Sequence, residues 1–260
     1  MSPRVTFIIA HHNYQQYLGK CIDSALNQTY KNIHVCVIDD CSNDQESVLQ
    51  IVGGKAQGWT SHELVDSGFI YTSPKITYIQ LIPKHDGSSH KQAYARNCGM
   101  EACWDNTDYF AILDADDENY PTKIEECVEV LENNPQVGAV YTDTHIVKVE
   151  NDRLVREYRE PYDYFRLVQE CIVHSGCVIS KAALQNVLEN GLVFDEDVPP
   201  VEDYDLWLRL AEKYLFYHIP KALVLVRVHP QNSTNTSTHE YRVKQLQKIF
   251  HKRQVRNGRS

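Results

Sequence analysis

No apolar run in this chain approaches the roughly 18 residues that a membrane-spanning helix needs. The N-terminal stretch MSPRVTFIIAHHN carries only a short apolar run that ends in histidines, which does not fit a signal peptide. Positive charge is also in short supply: 26 Lys and Arg stand against 35 Asp and Glu, a net charge of −9. That balance argues against a bulk nucleic-acid or membrane-surface role, because both polyanions would be repelled. A small anionic ligand held by a local site stays open. The eight cysteines form no CxxC pair and no Cys/His ligand spacing. Most fall in apolar stripes, so they read as reduced core residues of a cytoplasmic protein. In that setting the sequons at Asn27, Asn232 and Asn235 carry no meaning. Repeats and low-complexity tracts are absent.

What is present suits one large α/β domain or two small ones. The chain has 260 residues and 42% hydrophobic content. Val5–Ala10 (VTFIIA) and His34–Asp40 (HVCVIDD) are short, β-rich and nearly all apolar, as buried strands are. Between them Leu18, Cys21, Ile22 and Ala25 make a helix stripe. Residues 53–75, rich in glycine, read as a surface excursion, most simply an inert one. Ile76–Ile82 follows as a strand. A helix then presents the small residues Ala95, Cys98, Gly99 and Ala102 on its inner face, which permits close approach to a sheet or ligand. Tyr109–Asp114 is the next strand, and Ile124, Cys127, Val128 and Leu131 stripe the helix after it. VGAVYTDTHIV is a fifth strand. Strand and helix alternate to about residue 147, which predicts a parallel sheet with helices on both faces. From about Asn151 the rhythm turns irregular. A helix near Lys181–Glu189, another marked by Trp207, Leu210, Ala211 and Tyr214, and a late strand ALVLVRV come next. The tail from Glu240 is basic and amphipathic.

Two of the strands end in acid, at Asp39–Asp40 and at Asp114–Asp116–Asp117. In open α/β sheets ligands bind beyond the carboxyl ends of the strands. A parallel sheet would place both clusters on one edge. Carboxylates this crowded suit a divalent cation, Mg²⁺ or Mn²⁺, that keeps positions free for a diphosphate. The stretch DADDENYPTKIE also mimics a calcium loop, with acids at positions 1, 3, 5 and 12. However, its sixth position is Asn119 where glycine is required, and a β-like segment precedes it. A metal-dependent nucleotidyltransferase is a second rival, but AHHNYQQYLG is not the Gly-rich basic loop such enzymes usually carry.

With these residues in view, the chain resembles the family 2 glycosyltransferases of GT-A fold. The motifs occur in order over residues 4–235: Asn13–Tyr14, SALNQTY (Ser24–Tyr30), DDCSND (Asp39–Asp44), ARNCG (Ala95–Gly99), LDADD (Leu113–Asp117), VEDYDLWLRL (Val201–Leu210) and RVHPQNST (Arg227–Thr234). The resemblance implies a mixed, mainly parallel sheet flanked by helices. It implies one domain over 1–235, with a nucleotide-binding half at 1–147, an acceptor-side half at 148–235, and a separate tail at 236–260. Asp40 would contact the nucleotide base, with Asp39 structural or near the ribose. Asp114 and Asp116 would form the DxD element, Asp116 as direct metal ligand and Asp114 at the ribose or metal. Arg96 would meet the diphosphate or base, and His229 would complete the metal or diphosphate site, against the alternative of a plain loop histidine. Asp203 would be the general base, with Glu202 beside it near the acceptor. A carboxylate at a helix start is favoured in its ionised form, though it also serves as a simple cap. The activity implied is inverting sugar transfer from a nucleotide-diphosphate donor, UDP by resemblance alone, to a saccharide or other hydroxyl acceptor. His11–His12 replaces the family's usual pair before the Tyr-Asn turn, and the turn here reads Asn-Tyr. Whether those histidines touch the nucleotide is left open. Asp117 and Glu118 are expected only to start the next helix. Tyr158, Tyr162, Tyr164 and Phe165 suit either sugar stacking or the core. The tail fits docking or a homodimer best, with peripheral membrane contact a further option.

Overall fold

A computed structural model describes residues 2–65, 67–148, 150, 153–232 and 237–258. Ser233 and Thr234 of the closing motif, and the Asn235 sequon, lie outside them.

The centre is four parallel strands in the order β5 (Ile76–Leu81), β2 (Ile33–Asp39), β1 (Val5–His11) and β6 (Tyr109–Ile112). Their residues are apolar on both faces because both faces are covered. Val5, Phe7 and Ile9 pack toward α1 (Gln15–Leu26), α2 (Gln45–Ala56) and α4 (Lys123–Asn133). Ile8, Cys36 and Ile38 pack toward α3 (Gln92–Cys103) and α7 (Glu202–Ala211). The predicted stripe of α1 is confirmed, with Leu18, Cys21, Ile22 and Ala25 fully buried. Gly99 lets α3 lie against β2, since a Cβ there would collide with the Ile38 side chain.

Antiparallel strands extend this centre in two directions. Residues 53–75 are not a bare excursion. After α2 they form a hairpin, β3 (Ser61–Val65) and β4 (Gly68–Thr72), that pairs on to β5. On the other side β10 (Val178–Ser180) sits antiparallel between β6 and β8 (Val137–Lys148). Thus β8 runs in the direction of β6 without touching it along this path. β11 (Leu215–Val228) pairs parallel to β8, while β9 (Arg153–Glu157) and the short β7 (Glu118–Asn119) add antiparallel rungs to β8 and β11 respectively. Short helices α5 (Tyr164–Gln169) and α6 (Lys181–Gln185) complete the irregular second half.

The tail forms α8 (His239–Arg256), capped by Thr238, whose hydroxyl accepts the Tyr241 N–H. It lies on the domain. Ile249 is fully buried, and Lys252, Arg253 and Arg256 pair with Asp195, Glu212 and Glu189. Five of the eight cysteines are buried, Cys171 is exposed, and all eight are free thiols.

Candidate active site

The two acidic strand ends do meet on one edge. β1 lies between β2 and β6, all three parallel, so Asp40 and Asp114 leave the sheet on the same side. A cavity of about 740 Å³ opens there, lined among others by His12, Asp40, Lys91, Asp114 and Asp116.

Asp39 does not reach the cavity. Its carboxylate is buried and holds His11 Nδ1 at 3.0 Å and the Ser42 hydroxyl, which clamps the turn after β1 to the turn after β2. This accounts for His11. His12 is exposed and bonds the Asp40 carbonyl oxygen through Nδ1 at 2.7 Å. Asp40 is 4% exposed and accepts the backbone N–H groups of His90 and Lys91, both at 2.7 Å. Lys91 holds φ 86, a left-handed conformation that costs energy for a residue with a side chain. The Asp40 bond offsets that cost and aims the start of α3 at the cavity.

Asp114 is the hub. Its Oδ1 accepts from Arg96 at 2.7 Å and Gln92 at 2.9 Å, one helical turn apart on α3; its Oδ2 accepts from Ser175 Oγ at 2.8 Å. Arg96 also reaches Glu202 Oε1 at 3.5 Å and lies over the Phe194 ring. Burial works against the Arg96 charge, but Asp114, Glu202 and Asp203 outweigh it and raise its pKa. Arg96 is therefore placed behind the cavity, joining Asp114 to the start of α7, and does not line it.

Asp116 faces His229. Its Oδ2 lies 2.9 Å from His229 Nε2 and accepts from Asn232 Nδ2 at 2.9 Å. Tyr14 contacts the imidazole edge-on at 5.2 Å and Tyr17 stacks on it at 5.3 Å. Burial, then the Asp114 charge, raises the Asp116 pKa. Asp117 is pushed well up by burial and by both neighbours. It does not start a helix: it accepts the Arg227 N–H at 2.9 Å, while Glu118 pairs with the Arg227 guanidinium. Both therefore fasten the end of β11, which carries His229 into the site.

The acidic cluster fits a divalent cation. Asp116 and His229 put a carboxylate oxygen and an imidazole nitrogen 2.9 Å apart, donor types that a divalent cation takes. With Nδ1–H assigned toward Gln231 Oε1 at 3.2 Å, Nε2 is an acceptor beside the Asp116 carboxylate, and these two groups would hold the ion. Among the described residues the one group of three His, Cys, Asp or Glu whose ligand atoms all lie within 4.8 Å of one another is instead Asp40, Cys41 and His90. That cluster suits a metal poorly, because both Asp40 oxygens are taken by N–H groups and the Cys41 thiol is pushed up to about 12, mainly by burial. The calcium-loop reading fails on geometry: Glu125 turns away to accept from the Thr29 hydroxyl at 2.8 Å, and a strand precedes the loop.

Glu202 and Asp203 open α7 after Val201. Burial raises Asp203, and Arg96 offsets part of that rise. Glu202, 2% exposed, is pushed up to about 7, chiefly by burial, and its Oε2 has no hydrogen-bond partner. Burial thus prevails over the helix dipole here. Further along α7, Arg209 bonds Asp205 at 2.8 Å and the carbonyl oxygens of Val187 and Val193, which ties the 187–193 loop down.

Comparison with known proteins decides the lineage. The glycosyl transferase family 2 model matches residues 6–189. The chain belongs to that family. Its relatives include an uncharacterised glycosyltransferase of Rickettsia prowazekii, 29% identical over 249 residues, covering 92% of this chain and 68% of the relative. The chondroitin synthase of Escherichia coli is 28% identical over 233 residues, 89% of this chain but 30% of the enzyme. Among solved structures, S. aureus TarS 1–349 in complex with UDP-GlcNAc superposes with a TM-score of 0.70 at 17% identity, covering 95% of this chain and 65% of that one. The Pyrobaculum calidifontis mannosyltransferase in complex with GDP-Man and Mn²⁺ gives 0.62 at 18% identity, over 97% of this chain and 64% of that one. The fold is therefore GT-A, and the chain spans under two thirds of these solved relatives.

Within this family 2 site, Gln92, Ser175 and Asn232 are polar partners that motif reading missed. Gln92 is four residues before Arg96, a spacing that puts both on one helix face. Asn232 stands inside the quoted RVHPQNST. Ser175 has no local signal, because only β10 and its loop bring it to Asp114.

Proposed function

We propose that this chain is a metal-dependent, inverting glycosyltransferase that moves a sugar from a nucleotide-diphosphate donor, most simply a UDP-sugar, to a hydroxyl acceptor. The observation that carries the reading is the facing pair Asp116–His229 beside Asp114, at the carboxyl edge of the parallel strands. In this proposal the base and ribose lie along His12, Asp40 and Lys91. Asp116 and His229 would hold the cation, with Asp114 oriented by Arg96, Gln92 and Ser175. A bound divalent ion supplies charge neutralisation to the diphosphate leaving group. Tyr14 stays protonated beside it, its pKa pushed up to about 12 by burial and then by Asp116 and Asp114, and its hydroxyl holds Gln231 O at 2.7 Å.

Asp203 takes the acceptor proton as the hydroxyl oxygen attacks the anomeric carbon. A single displacement by a hydroxyl on the face opposite the leaving group inverts that carbon. Glu202, one residue away and sharing Arg96, sets the electrostatics of that base. TarS in complex with UDP and UDP-GlcNAc, and the mannosyltransferase with GDP-Man and Mn²⁺, support the class of donor.

The test is release of free nucleoside diphosphate from a panel of UDP- and GDP-sugars with Mn²⁺ or Mg²⁺. Turnover with one donor, lost by at least 100-fold in Asp203→Asn, is expected, since general-base catalysis contributes about 10²–10⁴-fold. Full turnover in Asp203→Asn would remove the base assignment.

A further inference from the structure

The cavity that holds Asp40, Asp114 and Asp116 has a further polar pair on its wall, Glu157 and Arg159, which the transfer mechanism above does not use. Strand pairing says where the pair stands. β11 occupies one side of β8 from Val137 to Lys148, so β10 and β9 share the other side, and β9 continues the lane that β10 leaves. That lane is next to β6. Val178 pairs with both Ala111 and Val140, which makes those two residues level. Four residues further on, Thr144, the partner of Glu157, is level with Ala115. Glu157 is thus level with the Asp114–Asp116 turn and one lane away, a strand spacing of about 5 Å. Ser175, which leads into β10 in the same lane, donates to Asp114 at 2.8 Å.

The pair is firmly anchored. Asp143, 1% exposed, accepts the Arg159 backbone N–H and the Arg156 guanidinium and bonds His218 Nε2, each at 2.8 Å. Burial works against its charge, but these bonds outweigh burial and lower its pKa, so the anchor stays ionised. Arg159 then donates from Nη2 to Glu157 Oε2 at 2.5 Å, and Thr144 Oγ1 donates to the same oxygen at 3.0 Å.

We infer that Glu157 and Arg159 read the sugar of the donor: of two neighbouring ring hydroxyls, one donates to Glu157 and the other accepts from Arg159. The inference deepens the glycosyltransferase reading and rests on it. Three observations carry it. First, the sheet order sets a sequence along the edge: Asp40 follows β2, Asp114 and Asp116 follow β6, and the pair stands in the next lane. A donor laid with its base at Asp40 and its diphosphate at Asp116 carries its sugar to the pair. Second, the pair is half used. A guanidinium and a carboxylate that serve only each other commonly join through two parallel bonds. Here one joins them, and Arg159 Nε is buried without a partner, which costs free energy until a ligand relieves it. Third, Ile146, Val224 and Val226 line the cavity beside the pair and offer an apolar floor to the C–H face of a sugar ring. Glu157 offsets the charge of Arg159, so the groups that suit both are neutral hydroxyls. A plain surface ion pair, worth little by itself, needs neither a buried anchor nor a place in this cavity.

Calorimetry with Mn²⁺ on the whole chain tests the inference. The probes are UDP and GDP, and UDP-glucose, its epimer UDP-galactose, UDP-N-acetylglucosamine, GDP-mannose and its epimer GDP-glucose. One conjugate should bind more tightly than its own nucleoside diphosphate and than its epimer, which leaves part of the pair unmatched. Glu157→Ala and Arg159→Ala should each weaken that conjugate about 10-fold or more, the worth of one charged hydrogen bond, and leave the bare nucleoside diphosphate unchanged. Both variants should fold, since the side chains are 38% and 24% exposed and the Arg159 N–H keeps Asp143. The inference is overturned if no conjugate outbinds its nucleoside diphosphate, if both variants keep the conjugate's affinity, or if the bare nucleoside diphosphate weakens equally. Failure of the glycosyltransferase reading shows separately, as absence of nucleoside diphosphate release from any donor, whatever the affinities.

Discussion

Replacing Arg96 by methionine isolates the link between the two halves of the site. The side chain is 3% exposed, as is that of Glu202, and Asp114 is 25% exposed. Removing one partner of a buried pair costs about 3–5 kcal/mol, because a charge is left without compensation. Here the loss is moderated on one side, since Asp114 keeps Gln92 and Ser175 and some solvent. On the other side Glu202 loses its cation while its Oε2 already has no hydrogen-bond partner. We therefore expect a loss of about 3 kcal/mol at pH 8. Linkage gives the pH dependence. Glu202 has a folded pKa raised to about 7 even with Arg96 present, and Arg96 acts to lower it. Without Arg96 it rises further. A carboxyl whose folded pKa exceeds its unfolded value favours the fold at low pH, and that contribution is lost as pH climbs through the folded pKa. The variant should therefore be penalised more at pH 8 than at pH 6. Urea unfolding followed by fluorescence of Trp59, Trp104 and Trp207 measures both values. A loss below about 1 kcal/mol, or one equal at the two pH values, would refute the clamp.

Four further outcomes follow from the same structure. Gly99→Ala should lower stability by about 1–2 kcal/mol, because overpacking against Ile38 outweighs the gain in helix propensity; thermal unfolding reads it. Ile249→Ala should cost about 2–5 kcal/mol in urea unfolding, as an emptied core position does, whereas a helix that merely touched the domain would lose almost nothing. Asp117→Asn should keep both stability and Mn²⁺ affinity by calorimetry, since the Arg227 N–H still finds an acceptor, while Asp116→Asn should lose the metal. The turnover rate should begin to fall on the acid side at a higher pH than an ordinary aspartate would give, because burial raises Asp203 and the base works only when ionised. A rate flat to pH 5 would separate this carboxylate from the proton transfer.

Much of the central sheet was legible because burial on both faces writes continuous apolar runs. Val5–Ala10 and His34–Asp39 are such runs, and both are strands of the parallel centre. The stripe in α1 was equally plain. Residues 61–72 were opaque for the converse reason: Ser61–Leu64 are exposed, so β3 has no buried face to alternate against. β10 was opaque because three residues set its place by pairing with distant strands, Val178 with Ala111 and Ile179 with Ala139, 67 and 40 positions away in sequence. At the site, acids that end strands announced the edge, and the ordered motifs announced the family. Side-chain direction was not written there. Asp39 turns inward to His11, Arg96 turns from the cavity to Glu202, and Asp117 holds Arg227, each decided by partners distant in sequence.

The account stands most directly on where a divalent cation sits. Crystals grown with UDP and Mn²⁺, measured at the manganese absorption edge, locate it by anomalous scattering. A single strong peak against Asp116 and His229 is the expected result. A peak at Asp40, Cys41 and His90, or no peak on this edge of the sheet, would contradict it.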